Sequence, residues 1–171
     1  MLTVSITLVI GAIITCVGKV LIEHAHPPRG RFVDVGGLRQ HVVDSGATGE
    51  ARDAAVDFVQ ASMTSGRTIH GYEVDDVARG IINRRGYGQY FVHRTGHSIG
   101  EDVHGNGANI DNFETRDTRK IIPRICFSIE PGIYLPEFGV RSEVNVFVEE
   151  SGARVTGEIQ RAIVPILAPA Y

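Results

Sequence analysis

The sequence predicts an α+β domain. Three observations carry this. Two stretches in its middle repeat apolar residues at helical spacing, two near its end alternate apolar and polar residues, and a Gly-Gly pair ahead of both joins two short extended runs. Helices first and antiparallel strands after are the order expected when helices segregate to one face of an antiparallel sheet.

The elements follow in chain order. Residues 1–22 form an apolar segment: Met1 to Gly18 contains no charged side chain, and Lys19 is the first. A bilayer-spanning helix needs roughly 20 apolar residues, so this segment is expected to be an N-terminal apolar helix acting as a transmembrane anchor or signal. Lys19, Arg29 and Arg31 follow it, which by the positive-inside tendency leaves the bulk of the chain cytoplasmic. Residues 23–49 read as linker and hairpin. Pro27-Pro28 cannot continue a helix, and Gly36-Gly37 separates Arg31–Val35 from Leu38–Val43 as a two-residue turn. From Glu50 to Met63, Ala51, Ala55, Phe58 and Val59 make one apolar stripe. From Tyr72 to Arg85, Val74, Val77, Ala78, Ile81 and Ile82 make another, with Gly86 as its stop. Ile125 to Glu130 alternates, with Ile125, Phe127 and Ile129 on one face and Cys126, Ser128 and Glu130 on the other. Gly139 to Glu149 reads as a single longer strand, placing Arg141, Glu143, Asn145 and Phe147 together.

Composition narrows the function. At 171 residues and 43% hydrophobic, the chain is long enough for a domain with a real core. A net charge of −3 and scattered basic residues give no phosphate-binding stripe, so no nucleic-acid partner is expected. Cys16 and Cys126 sit among apolar neighbours and read as buried free thiols, not a disulfide framework.

The chemistry concentrates after the second helix. His93, His97 and His104 fall within twelve residues, separated by Gly96 and Gly100, whose backbone freedom lets side chains converge. Imidazoles and carboxylates are the ligand set for zinc, manganese, iron or cobalt, and the two strands supply Glu130 and Glu143. Taken singly, each of these is more simply a surface histidine or a solvated carboxylate; taken together they suggest a site.

Thr95-Gly96-His97-Ser98-Ile99-Gly100, His104, Phe127-Ser128-Ile129-Glu130-Pro131-Gly132-Ile133-Tyr134 and Gly139-Val140-Arg141-Ser142-Glu143 resemble the pita-bread metallopeptidases. That family includes Xaa-Pro aminopeptidases, prolidases and methionine aminopeptidases. The resemblance covers residues 51 to 167 and is closest to the proline-specific branch. It implies that residues 50–171 form the catalytic half of a pita-bread fold. The implied cofactor is a pair of divalent ions, manganese, cobalt or zinc. By motif, His97, Glu130 and Glu143 are metal ligands, His93 and His104 are catalytic and substrate-positioning, and Arg141 orients Glu143 or holds a peptide substrate. The implied reaction is hydrolysis of an N-terminal or proline-adjacent peptide bond, and the family often forms dimers.

The chain also departs from the family, which completes its site with two aspartates on an upstream hairpin. Here Asp34 and Asp44 have the appropriate separation, but their neighbours do not match, and hairpin or turn roles suit them better. The fold is thus expected to be incomplete, to hold one metal ion or none, and to have impaired activity. A non-catalytic peptide- or protein-binding remnant is the second reading. Residues 1–47 resemble the start of a membrane-anchored α/β-hydrolase, and Gly96-His97-Ser98-Ile99-Gly100 fits the G-x-S-x-G pattern of a nucleophilic serine. No histidine follows His104, however, so a triad around Ser98 has no late base. Location is expected at a membrane with the catalytic part in the cytoplasm, or in the cytoplasm outright.

Overall fold

The computed structural model describes residues 31–35, 38–42, 46–136 and 138–159. The apolar segment 1–22, the linker before Arg31, Asp44 and Cys16 lie outside the described residues. Among the described residues no helix is long and apolar enough to cross a membrane.

Contacts divide the chain into a unit spanning residues 45–164 and a second that contains the hairpin. In the hairpin, β1 (Arg31–Val35) pairs antiparallel with β2 (Leu38–Val42), Val35 opposite Leu38, so two residues form the connection as Gly36-Gly37 predicts. Asp34 lies opposite Arg39 in this register.

The larger unit begins with α1 (Gly46–Thr64) and α2 (Gly71–Arg84). The first starts four residues before the predicted Glu50, because Ala47 and Thr48 are buried and extend the inward face. Ala51, Ala55 and Val59 are fully buried, as the stripe requires, with Val56 beside them and Phe58 packed at the edge of the core. Alanines on this face let α1 approach α2 closely while it lies against the main sheet. The first turn of α2 is closed from both sides. Glu73 accepts from the His70 backbone N–H at 2.9 Å, the reciprocal half of a capping box, and Gly71 and Tyr72 N–H donate to the carbonyls of Arg119 and Asp117. Gly86, at φ +81°, takes the left-handed conformation just past the end of α2.

A four-stranded antiparallel sheet follows, in the order β3 (Ser98–Ile99), β4 (Cys126–Ile129), β7 (Val144–Glu149) and β8 (Gly152–Thr156). Val144, Val146 and Val148 face the core. Phe127 opposes Val146 and Ile129 opposes Val144, so the centre of the sheet is built from branched and aromatic pairs. Each such fully buried side chain stabilises the fold by about 1.5–3 kcal/mol.

The expected single strand from Gly139 to Glu149 is not one strand. It breaks at Ser142-Glu143: β6 (Gly139–Arg141) pairs with β5 (Gly132–Tyr134) in a separate ribbon, and only β7 joins the main sheet. The corner is held by Ser142, whose N–H donates to the Pro131 carbonyl at 3.2 Å and whose hydroxyl accepts from Arg52 at 2.7 Å. Those bonds replace ladder pairing, and the alternation of the sequence runs through the corner without marking it.

Candidate active site

The close approach of two segments places the histidines on the carboxylate strand. Glu130 N–H donates to the Thr95 carbonyl at 2.7 Å, Ser128 N–H to the His97 carbonyl at 2.9 Å, and His97 N–H to Ser128 Oγ at 3.0 Å. Gly96 sits at the crossing, where a Cβ would fall 1.8 Å from the Ser128 carbonyl oxygen. Its role is therefore room for a neighbouring backbone, and the turn freedom expected of it is not what the fold uses.

His93, His97, His104, Glu130, Arg141 and Glu143 line one open cleft of about 350 Å³, together with Arg94 and Glu114. All six residues singled out in the sequence thus meet at one place. Glu130, expected on a polar or mixed strand face, is buried at 8% exposure. Its Oε1 accepts from Ser128 Oγ at 3.0 Å and faces His97 Nε2 at 3.4 Å, while its Oε2 accepts from Arg141 Nη1 at 2.7 Å. His97 Nδ1 lies 3.1 Å from the Ser98 carbonyl, a pairing that needs the proton on Nδ1. In the neutral ring this turns the Nε2 lone pair toward a carboxylate oxygen. Two acceptors that face each other call for a proton or a cation between them, and a backbone carbonyl fixing the far nitrogen is how ligating histidines are commonly oriented. The His104 ring lies 4.1 Å from that of His97, on the exposed loop.

A second chain of hydrogen bonds crosses the cleft. Arg141 Nε and Nη2 donate to Tyr134 Oη at 3.0 and 2.8 Å, Tyr134 Oη lies 3.1 Å from His93 Nε2, and His93 Nδ1 lies 2.6 Å from the Arg94 carbonyl. The directions are consistent if His93 carries its proton on Nδ1 and accepts from the tyrosine. The bond to Tyr134, followed by the nearby carboxylates of Glu130 and Glu143, pushes the Arg141 guanidinium further above its ordinary range. Arg141 is thus a permanent positive charge in the cleft.

Behind His93, Arg79 fixes the backbone. Its Nη1 donates to the Phe91 carbonyl at 3.1 Å and its Nη2 to the His93 carbonyl at 2.9 Å, while Phe91 and Phe113 cover the guanidinium at 4.2 and 4.7 Å. The fully buried Asp75 holds Arg79 through two bonds and also accepts from Thr95 N–H at 2.8 Å and Thr95 Oγ1 at 2.6 Å. Sequence reasoning missed Tyr134, Ser128, Arg94, Glu114 and this Asp75–Arg79 support. Tyr134 and Ser128 stand inside the Ser-Ile-Glu-Pro-Gly-Ile-Tyr run and were within reach of that signal. The others carry no local pattern.

Ser98 does not have the setting of a nucleophile. It is buried at 4% exposure in β3, no helix follows it among the described residues, and its Oγ accepts the Gly107 N–H at 2.9 Å. Cys126 is free and half-buried, where burial raises its thiol above the usual range.

The pattern of metallopeptidase family M24 matches residues 42–150. The chain belongs to family M24. It is 40% identical over 104 residues to an Xaa-Pro dipeptidase of Lactobacillus helveticus, covering 60% of this chain and 26% of that protein. It is 35% identical over 115 residues to an Xaa-Pro dipeptidase of Pyrococcus furiosus, covering 67% and 30%. Among solved structures, a prolidase from Thermococcus sibiricus superposes with a TM-score of 0.57 at 36% identity, covering 67% of this chain and 29% of the other. Dipeptidase PepE of Mycobacterium ulcerans matches with the same TM-score, covering 66% and 28%. The mixed helix and sheet arrangement is that of the pita-bread peptidases, in its C-terminal half. This M24 chain therefore spans between a quarter and a third of the length of these relatives.

An M24 site implies divalent ions, and the described donors fit that implication only in part. His97 and Glu130 converge and Glu143 shares their cleft, yet among the described residues no three His, Cys, Asp or Glu side chains come close enough together to hold an ion. The Glu130 oxygen Oε2 is already paired with Arg141. The described residues do not make a dinuclear centre by themselves.

Proposed function

We propose that this M24 chain carries the histidine-bearing part of a proline-type peptidase site. It would take the N-terminal end of a peptide, with hydrolysis of an N-terminal or proline-adjacent bond as its reaction. The observation that supports this is the meeting of His93, His97, His104, Glu130, Arg141 and Glu143 around one cleft of a fold shared with Xaa-Pro dipeptidases. In this reading His97, Glu130 and Glu143 face the metal side. His104, on the exposed loop, is where an imidazole N–H can hold a peptide carbonyl, and His93, whose ring nitrogens engage the Arg94 carbonyl and Tyr134 Oη, would position substrate through Tyr134. Arg141 offers a fixed charge to the substrate or to Glu143. No step is assigned to a metal pair, because the described donors do not assemble one.

The test is metal content and hydrolysis of an Ala-Pro dipeptide by the full chain with manganese added. Turnover that is lost in His97→Ala and Glu143→Ala supports the peptidase. A second reading, a peptide-binding module without turnover, is favoured by the Arg141–Glu130 pair and by the lack, among the described residues, of a third donor close enough to share an ion. Calorimetric binding of Ala-Pro with no hydrolysis over a day at millimolar manganese decides for it.

A further inference from the structure

Ser98, which is not placed to act as a nucleophile, holds a peptide bond instead. Its Oγ accepts the Gly107 N–H at 2.9 Å, and its carbonyl accepts the Gly105 N–H at 2.8 Å. The Asn106–Gly107 peptide unit is also bound at its other end, where Arg119 Nη1 donates to the Asn106 carbonyl at 3.1 Å. Both ends of one peptide plane are thus fixed, and the packing is close: a Cβ on Gly107 would fall 2.6 Å from Ser98 Oγ. Asn106 itself is exposed, and among the described residues its side-chain amide has no hydrogen-bond partner. Of the five asparagines in the chain, only Asn106 precedes a glycine. A bulky following residue hinders attack by its backbone nitrogen on the asparagine amide, and glycine has no side chain to do so.

We propose that Asn106 is a deamidation site, two residues from the cleft-lining His104, and that the buried Ser98 hydroxyl governs its rate by holding the Gly107 N–H. The Gly107 nitrogen gives up its proton and bonds to Asn106 Cγ. The Cγ–Nδ2 bond breaks, Nδ2 takes a proton and leaves as ammonia, and a five-membered succinimide remains. Water then opens the ring to an aspartate or an isoaspartate, so nothing is oxidised or reduced. While Ser98 Oγ accepts the Gly107 N–H, the proton is retained and the peptide plane is kept from rotating onto Asn106 Cγ. Either product adds a negative charge close to His104, and an isoaspartate also lengthens the backbone by a carbon. The inference is independent of the peptidase reading, since the reaction needs neither metal nor peptide.

The experiment is incubation of the full chain at neutral pH and physiological temperature. Peptide mapping by mass spectrometry reads the amide-to-acid mass gain at each asparagine. Asn106 is expected to convert in Ser98→Ala about fivefold faster than in the unaltered chain, the factor that one lost hydrogen bond corresponds to. In guanidinium chloride, where that bond is gone from both, the two chains are expected to convert at the same rate. Ser98→Cys, whose sulfur is a weak acceptor, provides the reading if circular dichroism shows that Ser98→Ala does not fold, and a gain of about twofold is expected of it. An equal or slower rate in the variant that is read overturns the proposal. So does a gain shared by Asn109 and Asn112, which would mark general loosening, or a difference that persists in guanidinium chloride. Absence of conversion at Asn106 in the unfolded chain overturns it as well.

Discussion

Replacing Asp75 with alanine tests the support behind the cleft. The Asp75 carboxylate is fully buried and accepts four hydrogen bonds, two from Arg79 and two from Thr95. Asp75→Ala leaves a guanidinium that is 16% exposed without its counter-ion, and breaking a buried pair on one side costs about 3–5 kcal/mol. The Thr95 N–H also loses its acceptor, adding about 1–3 kcal/mol, while the Thr95 hydroxyl can turn elsewhere. These losses share one site and do not add fully, so a total of about 5 kcal/mol is expected. That is a large part of the roughly 5–15 kcal/mol that holds a typical domain folded. Urea unfolding followed by far-ultraviolet circular dichroism measures it. The companion Asp75→Ala/Arg79→Met removes the orphaned charge and is expected to be more stable than Asp75→Ala. A cost below about 1.5 kcal/mol for Asp75→Ala, or a double variant that loses the sum of both single changes, would refute the reasoning.

Other predictions concern the same frame. Gly96→Ala is expected to cost about 3 kcal/mol or to prevent folding, since its methyl group would force β3 away from the Ser128 carbonyl; an unchanged melting temperature would contradict so close a crossing of the two backbones. Glu73 is held below the ordinary carboxylate range chiefly by its bond from His70. Asp117 is held low as well: burial would raise it, but hydrogen bonds from Arg119 and from the Asn109 N–H outweigh that. Both carboxylates bind the proton less readily when folded, so the stability they add is complete above about pH 4–4.5 and is lost as the pH falls through their lower folded values. Acid titration of Glu73→Gln should show a shallower loss than the unaltered chain. The Cys126 thiol, raised by burial, should react with a disulfide reagent more slowly than free cysteine at neutral pH and reach that rate in urea.

Local signals revealed the two helices and the hairpin, because each is written in contiguous spacing, and the clustered histidines, the strand carboxylates and the family-like motifs marked six of the eight residues that line the cleft. Ala51, Ala55 and Val59 mark an inward face by period alone, and Val144, Val146 and Val148 do the same for β7. What period could not show was a change of partner. The alternation from Gly139 to Glu149 is unbroken in sequence, yet Ser142 hands the chain from one sheet to another through bonds to Pro131 and Arg52, residues far from it in the chain. The same limit hid Asp75 and Arg79, which look like ordinary charges on a helix until Thr95 and the Phe91 and His93 carbonyls arrive from elsewhere. Gly96 is a third instance: a glycine in a sequence does not say whether it provides a turn or clearance, and only the Ser128 carbonyl beside it decides for clearance.

The corner at Ser142 separates two mechanical duties that lie close together in the chain. Arg141 rides on the outer β5–β6 ribbon, whereas Val144 is locked into the central sheet opposite Ile129. Ile133 anchors that ribbon in the core, and Arg141 extends from its more exposed strand β6, so the arginine is held beside Glu130 by packing shared with the fold itself. Exchanging Gly139–Arg141 alone with the matching stretch of another M24 protein is accordingly a way to retune the charge of the cleft while the buried Ile133 stays in place.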